Sequence, residues 1–283
     1  MRRHAPTVFL ILIFLAGLSL LLYPLVSSYV NEQHETKAVA AYEQNVEKLS
    51  DEDNTALLKA AEAYNEALAK EPTSFTLTDE EMKKYESLLD PTGTGIMGSV
   101  EISSIGVSLP IYHGVSDEVL EIGAGHLPGS SLPVGGSSTH CVLSGHRGLP
   151  SSRLFTDLDQ VQKGDVFLLH VLNQTLAYEV DQIKIVDPDQ IDTLKIADGQ
   201  DYCTLVTCTP YGINTQRLLV RGHRVAYSEA MKSTTEVTAD ASAYDTMLVA
   251  SAIAVPFLLI LFLVLMCRTS GHKKRGGAKT TCK

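Results

Sequence analysis

The sequence predicts a mainly β domain, preceded by helices and flanked by two transmembrane helices. Three observations predict it. Short β-branched runs punctuated by Gly, Pro and Asp crowd the stretch from Ile96 to Val225. Two uncharged apolar runs, Val8 to Val30 and Met247 to Met266, bracket everything between them. All 33 acidic residues lie between those runs, which leaves the middle at −18 and the two ends together at +8.

In chain order, residues 1–7 are a short basic end. Residues 8–30 hold 23 uncharged positions and residues 247–266 hold 20, broken only by Pro256. A helix needs about 20 apolar residues to cross a bilayer. Arg2-Arg3 ahead of an apolar run is also the pattern of a secretory signal peptide, with Val26-Ser27-Ser28 as the stretch to be cut. The run is, however, longer than an h-region of about 7–15 residues. The second run carries no polar stripe at helical spacing, unlike a core helix. Lys and Arg stay on the cytoplasmic side. Both termini are therefore expected in the cytoplasm, with residues 31–246 outside a cell membrane crossed twice. The acidic bulk of the chain repels phosphate, so no nucleic acid is expected as a partner. With 20 Gly, 45% apolar residues and 5 Cys, collagenous, disordered and disulfide-framework classes are disfavoured too.

Residues 31–94 read as a helical region. Val39, Tyr42, Val46 and Leu49 recur three or four apart, as do Leu57, Ala61, Tyr64 and Leu68, with Asp51-Glu52-Asp53-Asn54 as an acidic break. Thr78-Asp79-Glu80-Glu81 is a capping box opening a short helix through Met82, Tyr85 and Leu89. Asp90 to Gly95 is turn material. Strands are expected at Ile96–Ile102, Val107–Tyr112, Thr139–Leu143, Asp165–Leu172, Thr175–Val186, Tyr202–Thr207 and Arg217–Val225. Seven or eight strands over residues 95–226 suit a barrel or sandwich rather than a βαβ fold. Residues 227–246 are a polar linker back to the membrane, and 267–283 a basic cytoplasmic tail.

Cys267 and Cys282 fall at or beyond the inner face of the second span, where Cys267 is a candidate acylation site. That leaves Cys141, Cys203 and Cys208 outside, an odd number, so at least one thiol is free. Cys208 lies where a strand stops and the turn Thr209-Pro210-Tyr211-Gly212 begins. A thiol at a strand end is exposed and rigidly aimed, as nucleophilic attack requires. Its proton-transfer partner is sought among the histidines. His146, in Ser144-Gly145-His146-Arg147-Gly148, also follows an apolar run in a Gly-flanked turn; its competitors are His113 and His126, read as turn residues as well, His140 and His170, read as strand residues, and His223. Zinc is a weak alternative, because no close C-x-x-C or H-x-x-x-H pair occurs. Arg217 opens the strand after Cys208. It reads either as an oxyanion-binding cation on the same rim or as a strand-end surface arginine.

These residues carry a resemblance. Thr204 to Gly222, reading TLVTCTPYGINTQRLLVRG, resembles the signature of the sortases, in their class C, pilus-assembling branch. Leu143 to Pro150 followed by Leu154-Phe155-Thr156-Asp157-Leu158, Gly95 to Gly98 and Leu109 to Gly114 are similar to segments of the same family. The resemblance implies an eight-stranded sortase β-barrel preceded by helices. It implies that Cys208 attacks the Thr–Gly carbonyl of an LPXTG-like sorting signal to form a thioacyl enzyme. It makes His146 the acid and then the base, with Arg217 holding the substrate backbone or oxyanion. The implied substrates are LPXTG-bearing pilins or surface proteins, the acceptor is a pilin lysine, and no cofactor or metal is needed. The alternatives are a sortase that anchors surface proteins to peptidoglycan, or a non-catalytic pilus-docking module.

Two departures from the family pattern stand out. Class C sortases carry a lid with an Asp-Pro-aromatic motif, whereas the corresponding stretch here is Glu71-Pro72-Thr73-Ser74-Phe75. An altered lid is expected, with Glu71 pairing with Arg217 and Phe75 covering the thiol. Cys141 and Cys203 each lie five residues before a candidate catalytic group. If their strands are parallel neighbours, as in the sortase barrel, the two sit side by side, either as a disulfide or as buried free thiols.

Overall fold

The computed structural model describes residues 5–228, together with 254–257 and 260. Most of the second apolar run, the linker beyond Ser228 and the basic tail lie outside the described residues. Helix α1 (Ala5–Val46) contains the first apolar run. Among the described residues it is the one helix long and apolar enough to cross a membrane, so a two-span flank is not seen there. The chain divides into two compact units after Ser28, and the unit that begins at Tyr29 holds every strand.

The helices start where side chains can satisfy their free N–H groups. Ser50 caps α2 (Asp51–Leu68), accepting from Asp53 N at 3.0 Å. Asp51, Glu52 and Asp53 are therefore the first turn of a helix and not a break; carboxylates there complement the helix dipole. Thr78 and Glu81 form the expected capping box of α3 (Asp79–Glu86).

The strands are β1 (Ile96–Ile102), β2 (Val107–His113), β3 (Ala124–His126), β4 (Thr139–Ser144), β5 (Val166–Val171), β6 (Gln174–Val186), β7 (Asp201–Thr209) and β8 (Gln216–Val225), with the short helix α4 (Asp117–Leu120) between β2 and β3. They close into a barrel in the order β1-β2-β3-β4-β7-β8-β6-β5. The pairs β2–β3 and β4–β7 are parallel and the remaining neighbours antiparallel. The short β3 has no expected counterpart, and His126, expected in a turn, lies on it, paired with His113, which was also expected in a turn and ends β2.

Alternation along the strands sorts residues into two faces. Leu143, Leu205, Leu218 and Val220 point into the main core, with Phe167 and Tyr178 stacked at 5.6 Å. Val142, Val206 and Leu219, from three adjacent strands, form a separate cluster with Leu194 on the outer face. Each fully buried apolar side chain of this kind contributes roughly 1.5–3 kcal/mol. Three helices are also pinned to the barrel by one buried polar side chain each. Tyr42 of α1 donates to Met97 O (3.0 Å) and accepts from Leu172 N (2.9 Å). Asn65 of α2 binds both Leu132 N (2.8 Å) and Leu132 O (3.1 Å). Tyr85 of α3 donates to His126 O (3.1 Å) and accepts from Gly114 N (3.0 Å). Burial pushes the Tyr42 hydroxyl up to about 12.

Candidate active site

The parallel pair β4–β7 brings two distant segments to one rim. Its register runs from Thr139↔Asp201 to Ser144↔Val206. The same 62-residue offset continues past the strand end: Thr207 Oγ1 donates to Gly145 O at 2.8 Å, and Arg147 Nη1 donates to Thr209 Oγ1 at 3.4 Å. His146 falls between these two links and so stands opposite Cys208. Both side chains share the outer-face parity of Val142 and Val206, and both are half-buried. Parallel neighbours lie about 4.8 Å apart at the backbone.

Arg217 completes the group from the other side. In the antiparallel β7–β8 pair it is the direct partner of Cys208. Side chains directly opposite in such a pair have Cβ atoms roughly 4.5–5.5 Å apart on one face. Its guanidinium donates Nη1 to Asn214 O (3.3 Å) and Gln216 O (3.1 Å), which folds it over the β7–β8 turn. β7 itself extends through Thr209, two residues beyond the expected end, so Cys208 is the penultimate strand residue.

The turn that carries His146 is held tightly. Gly145 N donates to Val206 O at 3.0 Å, and His146 O accepts from Phe155 N at 3.1 Å. A Cβ on Gly145 would lie 2.6 Å from the ring of Phe155, so only glycine lets this aromatic ring close against the backbone beside His146. Arg147 is 9% exposed and forms an ion pair with Asp159. Its guanidinium lies 5.9 Å from the centroid of the Tyr211 ring, while its Nε is buried without a hydrogen-bond partner. Asp159 carries no functional signal in the sequence, and Arg147 and Phe155 stand there only as parts of the family-like segments around His146. The signal available for Arg147 was its position in the same Gly-flanked turn as His146.

Four of the competing histidines are engaged elsewhere; the fifth, His223, lies on β8 opposite Tyr202 of β7, and its Nδ1 is buried without a hydrogen-bond partner. His113 shares hydrogen bonds with Gly95 O (3.0 Å) and Leu88 O (2.7 Å), and His140 with Lys195 O (2.9 Å) and Thr204 Oγ1 (2.7 Å). Burial lowers the pKa of both. His126 is fully buried against Tyr85, Ser130 and Ser131, and His170 meets Glu101 at 3.3 Å.

Cys141 and Cys203 are register partners inside the barrel, and both thiols are free. The disulfide considered from sequence is not formed, in keeping with the strain of bridging side-by-side residues within a sheet. Burial pushes the Cys203 thiol well up. At Cys141 burial acts in the same direction, but hydrogen bonds with Cys203 and His126 outweigh it.

The lid stretch also differs from expectation. Glu71 and Pro72 are exposed, and among the described residues no ion pair joins Glu71 to Arg217. Instead Phe75 packs on the outer-face cluster of Val142, Leu194, Val206 and Leu219, one outward-facing rung below Cys208. The chain is held there by close approach to Gly129, where a Cβ would come within 2.1 Å of Ser74 O.

A sortase domain model matches residues 100–225. The chain is 30% identical over 162 residues to sortase D of Bacillus subtilis, covering 56% of this chain and 79% of that protein. Among solved structures it is similar to sortase C1 of Streptococcus agalactiae, with 49% identity, a TM-score of 0.66, and 67% of this chain and 98% of that one covered. It is likewise similar to Clostridium perfringens sortase C with the C-terminal cell wall sorting motif, with 46% identity, a TM-score of 0.60, and coverage of 68% and 99%.

Proposed function

Because the chain belongs to the sortase family, in its class C branch, and is therefore a cysteine transpeptidase, we propose that Cys208, His146 and Arg217 are its catalytic residues and that it joins LPXTG-bearing pilins to a pilin lysine. The observation that carries the assignment is the continued β4–β7 register, which sets His146 beside Cys208 while Arg217 faces Cys208 from β8.

Cys208 Sγ attacks the carbonyl carbon of the signal's threonine. Negative charge collects on the carbonyl oxygen, and Arg217 turns from its loop carbonyls to meet it. The Thr–Gly C–N bond breaks as His146 gives its proton to the departing glycine amine, leaving a thioester on Cys208. The acceptor amine then attacks that thioester, His146 takes the proton from the amine nitrogen, and the thiolate leaves. One amide is exchanged for another, so no oxidant, metal or organic cofactor enters the balance. Phe75 occupies apolar ground on the same face, where it acts as a lid over the floor that an incoming signal needs.

Support for the pilin acceptor is the likeness to sortase C structures, including the Streptococcus pneumoniae enzyme described in terms of pilin substrate specificity, at 42% identity over 97% of that chain. The two apolar runs and their basic flanks support membrane anchoring with both termini inside. The test incubates the full chain in detergent with an LPXTG peptide, purified pilin and a peptidoglycan stem peptide bearing a free amine, and locates the new amide by mass spectrometry. An amide on a pilin lysine is expected; an amide found only on peptidoglycan amines would replace the pilin reading with the anchoring one. Polymer made by Cys208→Ala would overturn the catalytic assignment.

A further inference from the structure

The segment that follows His146 is gripped from an unexpected direction. Asn31 and Glu35 stand one helical turn apart on the same face of α1. Asn31 Nδ2 donates to Ser151 O at 2.7 Å, and Ser152 Oγ donates to Glu35 Oε1 at 2.6 Å. Ser152 is itself buried and bridged to Leu149, three residues past His146. A cavity of about 240 Å³, lined by Asn31, His34, Glu35, Ala38, Tyr112 and Ile122, opens beside these bonds. Apolar packing is therefore incomplete at this point, and the two hydrogen bonds fix where α1 meets the loop. Asn31 is also the first residue after the apolar run.

We propose that Asn31 and Glu35 are positioning residues for His146: the first turn of α1 beyond the membrane run clamps Leu149–Arg153 and thereby sets the placement of the imidazole. This rests on the reading of His146 as the proton-transfer group. The clamp makes the anchor-proximal helix part of the active site's geometry while leaving it out of contact with the reacting atoms. A misplacement of about 1 Å can cost a catalytic group up to ~10²-fold in rate, so loosening one of two clamps is expected to cost roughly tenfold.

The test uses the full chain in nanodiscs with an LPXTG peptide and an alkylamine acceptor. Glu35→Ala is expected to lower kcat about tenfold with KM for the peptide within twofold, and to leave the iodoacetamide rate at Cys208 unchanged. Glu35→Gln, whose amide oxygen still accepts from Ser152, is expected to recover at least half of the lost rate. Ser152→Ala should match Glu35→Ala, and the double variant should be no worse than either single. Wild-type kcat in Ser152→Ala, or losses that multiply in the double variant, overturns the clamp. Should Glu35→Ala fail to fold, Ser152→Ala and Glu35→Gln still decide. His146→Ala separates the premise: full activity there removes the role of His146, whereas an inactive His146→Ala beside an unaffected Ser152→Ala removes only the clamp.

Discussion

Replacing Gly145 by alanine tests whether the backbone beside His146 is set by its contact with Phe155. The added Cβ would start 2.6 Å from one ring carbon and 2.8 Å from another, whereas ordinary contact begins at 3.4 Å. Ring or strand must give way by about 0.8 Å. The ring is fully buried, and both flanking backbone links, Gly145 N to Val206 O and Phe155 N to His146 O, are already 3.0–3.1 Å long. Overpacking of a closed core costs roughly 1–3 kcal/mol, and for a domain of this size about 2 kcal/mol lowers Tm by roughly 4–8 °C. If the strand yields, His146 moves with it, and kcat should fall about ten- to a hundredfold. Scanning calorimetry and peptide-cleavage kinetics on the full chain measure both. Gly145→Ala combined with Phe155→Leu, which removes ring atoms from the collision, should regain most of the activity. Unchanged Tm and kcat in the single variant would refute the reasoning, and lost activity without recovery in the pair would show that Phe155 is not the obstacle.

Asp159→Asn should cost under about 1 kcal/mol, because the carboxylate is 46% exposed and well screened. Arg147→Ala, which also empties the space beneath Tyr211, should cost more in both stability and kcat; urea titration with parallel kinetics compares the two. Phe75→Ala should raise kcat/KM for the sorting peptide severalfold by clearing the outer-face cluster, and an unchanged value would remove Phe75 from any lid. Burial raises the pKa of Glu35 above 4.5 despite its bond from Ser152. The folded chain thus holds this proton more tightly than the unfolded chain, and the associated stability is full below pH 4.5 and lost as pH rises through the raised value. Glu35→Gln should accordingly gain in Tm relative to wild type between pH 4.5 and neutrality, read from Tm–pH curves of both proteins, and a constant difference would contradict the burial.

Most strands were legible because β-branched runs ended at Gly, Pro or Asp, and β1 matches its expected span Ile96–Ile102. β3 was not, since Ala124-Gly125-His126 contains no β-branched residue and becomes a strand only because β2 and β4 flank it. Cys208 and Arg217 were readable as neighbours, being joined by one short turn. The meeting of His146 with Cys208 depends on a pairing between segments 62 residues apart, which local pattern cannot supply; the family resemblance suggested it. The seat of Phe75 was hidden for the same reason: Ser74 and Phe75 are held by close approach to Gly129, more than 50 residues away, a constraint with no local signature.

The parallel pairing of β4 and β7 explains why so few residues suffice to build the site. In a parallel pair both strands run out at the same rim, so groups at their C-terminal ends meet without any local connection. The intervening chain is occupied in making β5 and β6, which reach the site's rim only through β8. Such a design depends wholly on register, because a slip of one residue turns every side chain to the opposite face. The register here is held past the last ladder rung by Thr207 on Gly145 and Arg147 on Thr209, and these bracket His146 and Cys208 from either side. Residues flanking the proposed reacting pair, rather than the pair itself, therefore carry the burden of alignment. That is why Gly145 and Arg147 are the positions at which small changes of shape should be felt as changes in rate.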